Sequence, residues 1–360
     1  MHFQELGSSV YIHIPFCKKI CSYCDFCKMY YNEKMVDDYL VALDQEIKKN
    51  YQNNEIRTIY IGGGTPSSLG IDELKKLFKI FKIFKMDYLK EFSIECNIED
   101  ISEEKLKIFK ANGINRLSIG VQSFDKRILK ELNRNSETDI VAKILLAKKY
   151  FDNINIDLIY GLNSETLTDL QNDLNNFLHL DLPHISIYGL IKEEHTILDV
   201  NKYIELDDDS FFEMYQQIDK TLKSAGYNHY EISNYAKEGY ESIHNLTYWN
   251  NDEYYGFGLG ASGFINNIRY DNTRSFNNYL KGEYVLNKKE ISLEENMENE
   301  MILGLRKQVG VTNKIFYKKY QKYIEDVFDV SKLEKTKTGY RLKESDIYIS
   351  NSILIDFLLY

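Results

Sequence analysis

A chain of 360 residues, 43% of them hydrophobic, can form a packed core in one large domain or in a large domain plus a small one. A net charge of −10 and a pI near 5.4 argue against a general nucleic-acid surface, which would carry a basic stripe. No apolar run reaches the length of about 18 residues that marks a membrane span, so none is expected; peripheral attachment is left open.

The first strand-like run, residues 10–14, leads into Cys17, Cys21, Cys24 and Cys27, four of the chain's five cysteines. Disulfides fit this cluster poorly, because disulfide-dense chains are usually short and secreted, and no amino-terminal segment reads as a signal peptide. A reducing, cytoplasmic setting is expected. Zinc fits poorly as well, because a structural site needs two separated pairs and the remaining Cys96 stands alone. Cys17, Cys21 and Cys24 form Cys-x3-Cys-x2-Cys, a loop able to wrap one [4Fe-4S] cubane with three thiolates on three irons. The fourth iron then has no ligand from the motif and is open to a chelating small molecule. Cys27 reads as a thiol packed near the cluster, the alternative being an unconventional fourth ligand.

Downstream, strand-like runs at 58–61, 92–95, 116–119, 155–159 and 184–188 alternate with amphipathic segments at 36–49, 71–84, 102–111, 138–150, 167–178 and 210–225. Six strand-then-helix units predict an α/β fold with a parallel sheet, arranged as a partial (β/α)6 barrel open along one side. Its chemistry is expected at the carboxyl ends of the strands. The loops there carry Gly62-Gly63-Gly64-Thr65, Glu95-Cys96-Asn97, Gly120-Val121-Gln122 and Asp157 through Gly161. Each loop alone reads as a turn or a helix cap; together they line one mouth.

With these motifs in place, the run from Tyr11 to about Gly263 resembles the HemN/HemW group of radical S-adenosylmethionine (radical SAM) proteins. The group includes oxygen-independent coproporphyrinogen III dehydrogenase and heme chaperones. The resemblance implies a radical SAM barrel whose open iron holds the amino and carboxylate groups of SAM, and whose electron cleaves the sulfonium. It implies that Tyr11, Gly63, Gly64, Thr65, Glu95, Gln122, Arg134, Asp157 and Gly189 contact SAM. Glu95 can accept from the ammonium, Arg134 can pair with the carboxylate, and Gln122 and Asp157 can hold the ribose hydroxyls. The dehydrogenase carries a longer segment before its cysteines and another cysteine two positions after the third; here 16 residues precede Cys17, and Phe26 stands at that position. Ile98, where the family usually has proline, and the polar positions after Arg134 depart from the pattern.

His244-Asn-Leu-Thr-Tyr248-Trp249 resembles a motif of the heme-handling members. Neutral imidazole is a usual axial ligand, and Tyr248 and Trp249 offer flat apolar faces, so these three residues are the expected heme contacts. His13 reads as structural. The glycine-rich stretch 254–263 reads either as close backbone approach or as β-bulges. Residues 294–307 and 313–323 predict helices, 339–349 a hairpin, and a last apolar helix follows, giving a small winged-helix-like α+β domain expected to act as a lid or docking module. Three segments result: a barrel at 1–230, the heme motif and glycine-rich connection at 231–290, and the winged-helix-like domain at 291–360. The expected function is uptake of heme and its transfer to apo-hemoproteins, with coproporphyrinogen decarboxylation and radical methylation of heme as the competing readings. Whether the chain is itself an enzyme is left open.

Overall fold

A computed structural model of the chain describes residues 7–135 and 137–358; residues 1–6 and 359–360, at the ends of the first and third expected segments, lie outside them. Strand β1 (Ser8–Ile14) runs into the two-residue strands β2 (Phe16–Cys17) and β3 (Met29–Tyr30), which pair in parallel and pinch off the cysteine loop. Helix α1 (Glu33–Asn50) leads to β4 (Ile56–Gly63), α2 (Ile71–Ile80) to β5 (Glu91–Asn97) and α3 (Glu103–Ala111) to β6 (Arg116–Gln122). After α4 (Lys126–Glu131) and α5 (Ile140–Lys148) come β7 (Ile154–Tyr160), α6 (Leu167–His179) and β8 (His184–Gly189). Strands β1, β4, β5, β6, β7 and β8 pair in parallel in that order, the six predicted strand–helix units of a partial barrel.

Local chemistry explains the helices. In α1 the buried Val36, Tyr39, Leu40, Leu43 and Ile47 recur at three- and four-residue spacing, and the Asn32 side chain accepts from the Met35 N–H at its start. Lys48 and Lys49 stand in its last turn, where cations suit the helix dipole. The single helix predicted at 71–84 is instead α2 followed by a 3-10 turn, Phe81–Ile83. Phe78, Phe81 and Phe84 are all buried at a strict three-residue repeat, which a 3-10 turn keeps on one side while an α-helix, at 3.6 residues per turn, drifts away from it.

The sheet extends at both edges beyond the predicted six strands. After α7 (Ile197–Val200) and α8 (Asp208–Ser224), β9 (Asn228–Glu231) and β10 (Asn234–Ala236) form a hairpin antiparallel to β8. Beyond α9 (Ile243–Trp249), β11 (Tyr254–Phe257) pairs in parallel with β1. Then β12 (Ser262–Ile265), β13 (Ile268–Asn272) and, after α10 (Phe276–Leu280), β14 (Val285–Glu290) follow antiparallel, making twelve strands among the described residues. The glycine-rich stretch serves strand-to-strand approach: a Cβ on Gly256 would stand 1.8 Å from the Ser262 carbonyl oxygen.

The last segment comprises α11 (Leu293–Gly304), β15 (Val311–Thr312), α12 (Asn313–Tyr320), β16 (Glu334–Lys335), β17 (Gly339–Arg341) and α13 (Ser350–Leu354). It packs around its own core of Met301, Val311, Phe316 and Tyr340. The hairpin lies at 334–341 rather than 339–349, because the chain reverses where Thr336 N–H donates to the Gly339 carbonyl at 2.9 Å. Tyr348 packs against Phe212 of α8 (centroids 4.8 Å apart, planes tilted by 52°), and Lys319 donates to the Asn250 carbonyl just past α9.

Candidate functional site

Alternate residues of the barrel strands face inward. At the carboxyl ends they open into a cavity of about 440 Å³, within the range of small-molecule sites. Cys17, Cys21 and Cys24 all line it, together with Gly63, Gly64, Thr65, Glu95, Gln122, Arg134, Asp157 and Gly189. Tyr11, the remaining expected SAM contact, does not: its hydroxyl bonds to His13 Nδ1 at 3.0 Å, below the cavity floor. Asn97, of the expected Glu95-Cys96-Asn97 loop, lines the cavity too, as do Tyr60, Ser118 and Tyr188, which were not singled out from the sequence. Counting by twos from Glu95 and Asp157 and across the paired strands would have found them: Glu95 pairs with Ser118, Ser93 with Tyr60 and Ile159 with Tyr188.

The cysteine loop is fixed from several sides. Met29 N–H donates to the Pro15 carbonyl (2.8 Å) and Tyr31 N–H to the Cys17 carbonyl (2.9 Å), closing it. His13 Nε2 bonds to the Cys27 carbonyl at 2.7 Å, the structural role expected of this histidine. Ser22 N–H donates to the Leu132 carbonyl (3.2 Å), and Asn133 Nδ2 to that of Ile20 (2.9 Å). Gly64 makes the tight fit possible, since a Cβ there would stand 2.7 Å from the Pro15 backbone and 2.9 Å from Cys17 Sγ.

These residues fit an iron–sulfur cluster. Among the described residues no three His, Cys, Asp or Glu side chains close round a single metal ion, whereas three thiols on one cavity suit a multi-iron cluster. Burial pushes the Cys17 thiol up to about 11, a penalty that iron ligation would offset by taking the thiolate. Cys27 is not on the cavity wall; its sulfur lies against Gly260, where an added Cβ would stand 3.0 Å from it.

The polar groups are equally constrained. Glu95 Oε1 accepts from Tyr60 OH (2.9 Å) and Oε2 from Gly63 N–H (3.0 Å). Burial first, and the Asp157 carboxylate second, push Glu95 up to about 7. An arriving ammonium would restore its charge. Burial likewise raises Asp157, which accepts from Asn155 Nδ2 at 2.8 Å. Arg134 is buried rather than a surface arginine: Nη1 donates to Asn97 Oδ1 (2.9 Å) and lies 3.3 Å from Cys21 Sγ, while Nη2 donates to the Gly120 carbonyl (2.8 Å). Gln122 ends β6 with φ 71°, in the left-handed region, turning the chain at the cavity edge.

The expected heme contacts His244, Tyr248 and Trp249 all stand on α9, His244 buried and Tyr248 and Trp249 half-buried, with the Arg306 guanidinium 5.6 Å from the Trp249 ring. Helix α9 plugs the other end of the barrel, its first turn held by Glu91, whose Oε2 accepts from Ile243 N–H (2.6 Å). His244 Nδ1 bonds to Thr58 Oγ1 (2.8 Å) and Nε2 to Tyr248 OH (2.8 Å), with the imidazole stacked on Tyr60. Thr58 spends its hydroxyl proton on Ser9 Oγ (2.8 Å), so Nδ1 carries the imidazole proton and Nε2 accepts from Tyr248. Burial, with the Arg116 guanidinium adding to it, pushes His244 down to about 3. Both nitrogens of a neutral ring are thus occupied inside the barrel. The sequence could not reveal this, because the Thr58 partner comes from a strand 186 positions away.

A parallel partial barrel with three cysteines at its carboxyl-end mouth defines a radical SAM protein. Residues 11–176 match the radical SAM superfamily. The chain is 38% identical to heme chaperone HemW of Lactococcus lactis subsp. lactis (strain IL1403), over 98% of this chain and 97% of that one. It is 39% identical to heme chaperone HemW of Bacillus subtilis (strain 168), over 95% of each. The chain belongs to the HemW family of radical SAM proteins. In structure it is similar to coproporphyrinogen III oxidase (HemN) from Escherichia coli, with a TM-score of 0.86 at 21% identity over 97% of this chain and 89% of that one, a likeness of fold. The superfamily implies a [4Fe-4S] cluster and SAM. Such a cluster, when bound, supplies an electron to SAM; the chain's own residues bind, orient and shield.

Proposed function

We propose that this chain is a heme chaperone that holds a [4Fe-4S] cluster and SAM at the barrel mouth and delivers heme to apo-hemoproteins in a reducing, cytoplasmic setting. The observation that carries the reading is the convergence of Cys17, Cys21, Cys24 and eight of the SAM-contact positions on one cavity, in a chain related end to end to proteins named heme chaperones. In this reading the three thiolates hold three irons, Glu95 takes the SAM ammonium, Arg134 its carboxylate, and Gln122 and Asp157 the ribose hydroxyls. Arg134 already bonds Asn97 and Gly120, which fixes its guanidinium at the cavity wall without using all five donors.

The test is anaerobic. Reconstituted protein with SAM, a strong reductant and coproporphyrinogen III is followed for protoporphyrinogen and deoxyadenosine, and the same protein loaded with heme is mixed with an apo-hemoprotein. Heme transfer without decarboxylation is the expected result. Sustained protoporphyrinogen formation would make the chain a dehydrogenase instead.

A further inference from the structure

We propose that the loop 306–310 is a gate over helix α9, and that heme reaches the helix where this loop lifts. This rests on the heme-chaperone reading and on α9 as the carrier of the expected heme contacts.

No residue of α9 is exposed: His244 and Thr247 are buried, and its other five residues are half-buried. None of them lines the cavity at the barrel mouth. A macrocycle needs a bare face to lie on, so the helix as it stands is closed to it. On the barrel side Thr58 and Tyr60 cover it. On the other side the cover is the turn that joins α11 to β15. The Arg306 guanidinium lies 5.6 Å from the centre of the Trp249 ring, and Lys307 Nζ donates at 2.5 Å to Asn250 Oδ1, one residue past the helix. Lys307 also pairs with Glu231 of β9 in a single antiparallel bridge, and Gln308 N–H donates to the Tyr230 carbonyl at 3.1 Å.

The way this loop is held suits a part that opens. Its two ends are anchored, because Leu305 and Val311 are buried in the core of the last segment, a cluster separate from the barrel core. Between them the chain buries no apolar side chain, and Val309 is 71% exposed. The loop therefore meets α9 and β9 through polar bonds and one cation–ring contact, and a segment held in this way opens more readily than a packed core. Gly310, at φ 69° in the left-handed region, turns the chain back into β15 and serves as a hinge without a side chain. The seam is also incompletely satisfied. Trp249 Nε1 and Glu231 Oε2 approach each other there, both atoms buried, without closing a hydrogen bond of good geometry. Lifting the loop would uncover the face of Trp249 and the end of α9 together.

The experiment mixes the cluster-loaded full chain with hemin by stopped flow and follows the Soret band and the quenching of Trp249 fluorescence. It compares the parent with Lys307→Ala and with the double variant Arg306→Ala/Lys307→Ala. Cluster content and far-UV dichroism control for folding, and hydrogen exchange of the α9 amides reads opening in the absence of hemin. Because the loop must lift first, the parent's binding rate should level off as hemin is raised. The double variant is expected to exchange faster along α9 and to bind hemin about fivefold or more faster and tighter, since the apparent affinity of a closed chain is reduced by its open fraction. Its Soret spectrum should match the parent's, and Lys307→Ala should fall between the two; if the double variant does not fold, Lys307→Ala decides alone. A parent that binds hemin while the folded variants bind it no faster and no tighter overturns the gate and leaves the chaperone reading standing. Weaker binding by the variants does the same, because it would make the loop a heme contact and not a cover. If neither the parent nor the variants take up hemin, the chaperone reading itself fails and the gate with it.

Discussion

Replacing His244 by alanine tests whether its helix is a plug or a ligand. The change removes two buried hydrogen bonds, to Thr58 and Tyr248, each contributing about 1 kcal/mol. It also leaves the buried Tyr248 hydroxyl without its acceptor, at about 1–3 kcal/mol, and opens a cavity under Tyr60. These effects overlap, so the expected destabilisation is about 3–5 kcal/mol, with roughly half of it restored in His244→Gln, which can keep one bond. The assay is urea unfolding followed by the fluorescence of Trp249, the chain's single tryptophan, which lies on the same helix. An alanine variant that unfolds within about 1 kcal/mol of the parent would refute the plug. So would one that keeps full stability yet loses a heme spectrum.

Four further outcomes are expected. Cys17→Ala, Cys21→Ala and Cys24→Ala should each bring iron well below about four per chain after anaerobic reconstitution, whereas Cys27→Ala, whose sulfur faces Gly260, should hold the parental amount. SAM affinity should rise with pH up to about 7 and level off above it, because Glu95, raised to about 7 by burial and Asp157, must lose its proton to meet an ammonium. The same raised value means that in the SAM-free protein the stability Glu95 contributes is present at low pH and is lost as pH rises from about 4.5 to about 7. Calorimetry at several pH values checks both, and a pH-independent affinity, or one still pH-dependent in Glu95→Gln, would remove Glu95 from the site. Gly64→Ala should lose the cluster while keeping the fold, since the new methyl group collides first with Pro15 and Cys17 of the cluster loop; iron content alongside far-UV dichroism reads this.

The sequence alone determined the barrel and the cluster loop. Runs such as 116–119 and 155–159 alternate polar and apolar residues, are short and are separated by helical periods, so local hydrophobic patterning and the right-handed crossover rule point to a parallel sheet with helices outside. The Cys-x3-Cys-x2-Cys spacing is local chemistry and needed no tertiary information. Tertiary structure decided the rest. Strand β14 is exposed at all six positions and β11 ends on a glycine-rich run, so neither carries the alternation that would have betrayed a sheet edge. The function of a histidine depends on which nitrogens its surroundings occupy. For His244 those surroundings are Thr58 and Tyr60 of one distant strand and Glu91 of the next. The His244 imidazole is thus a neutral brace within the barrel, because burial and hydrogen-bond partners are properties of the folded chain and not of the residue.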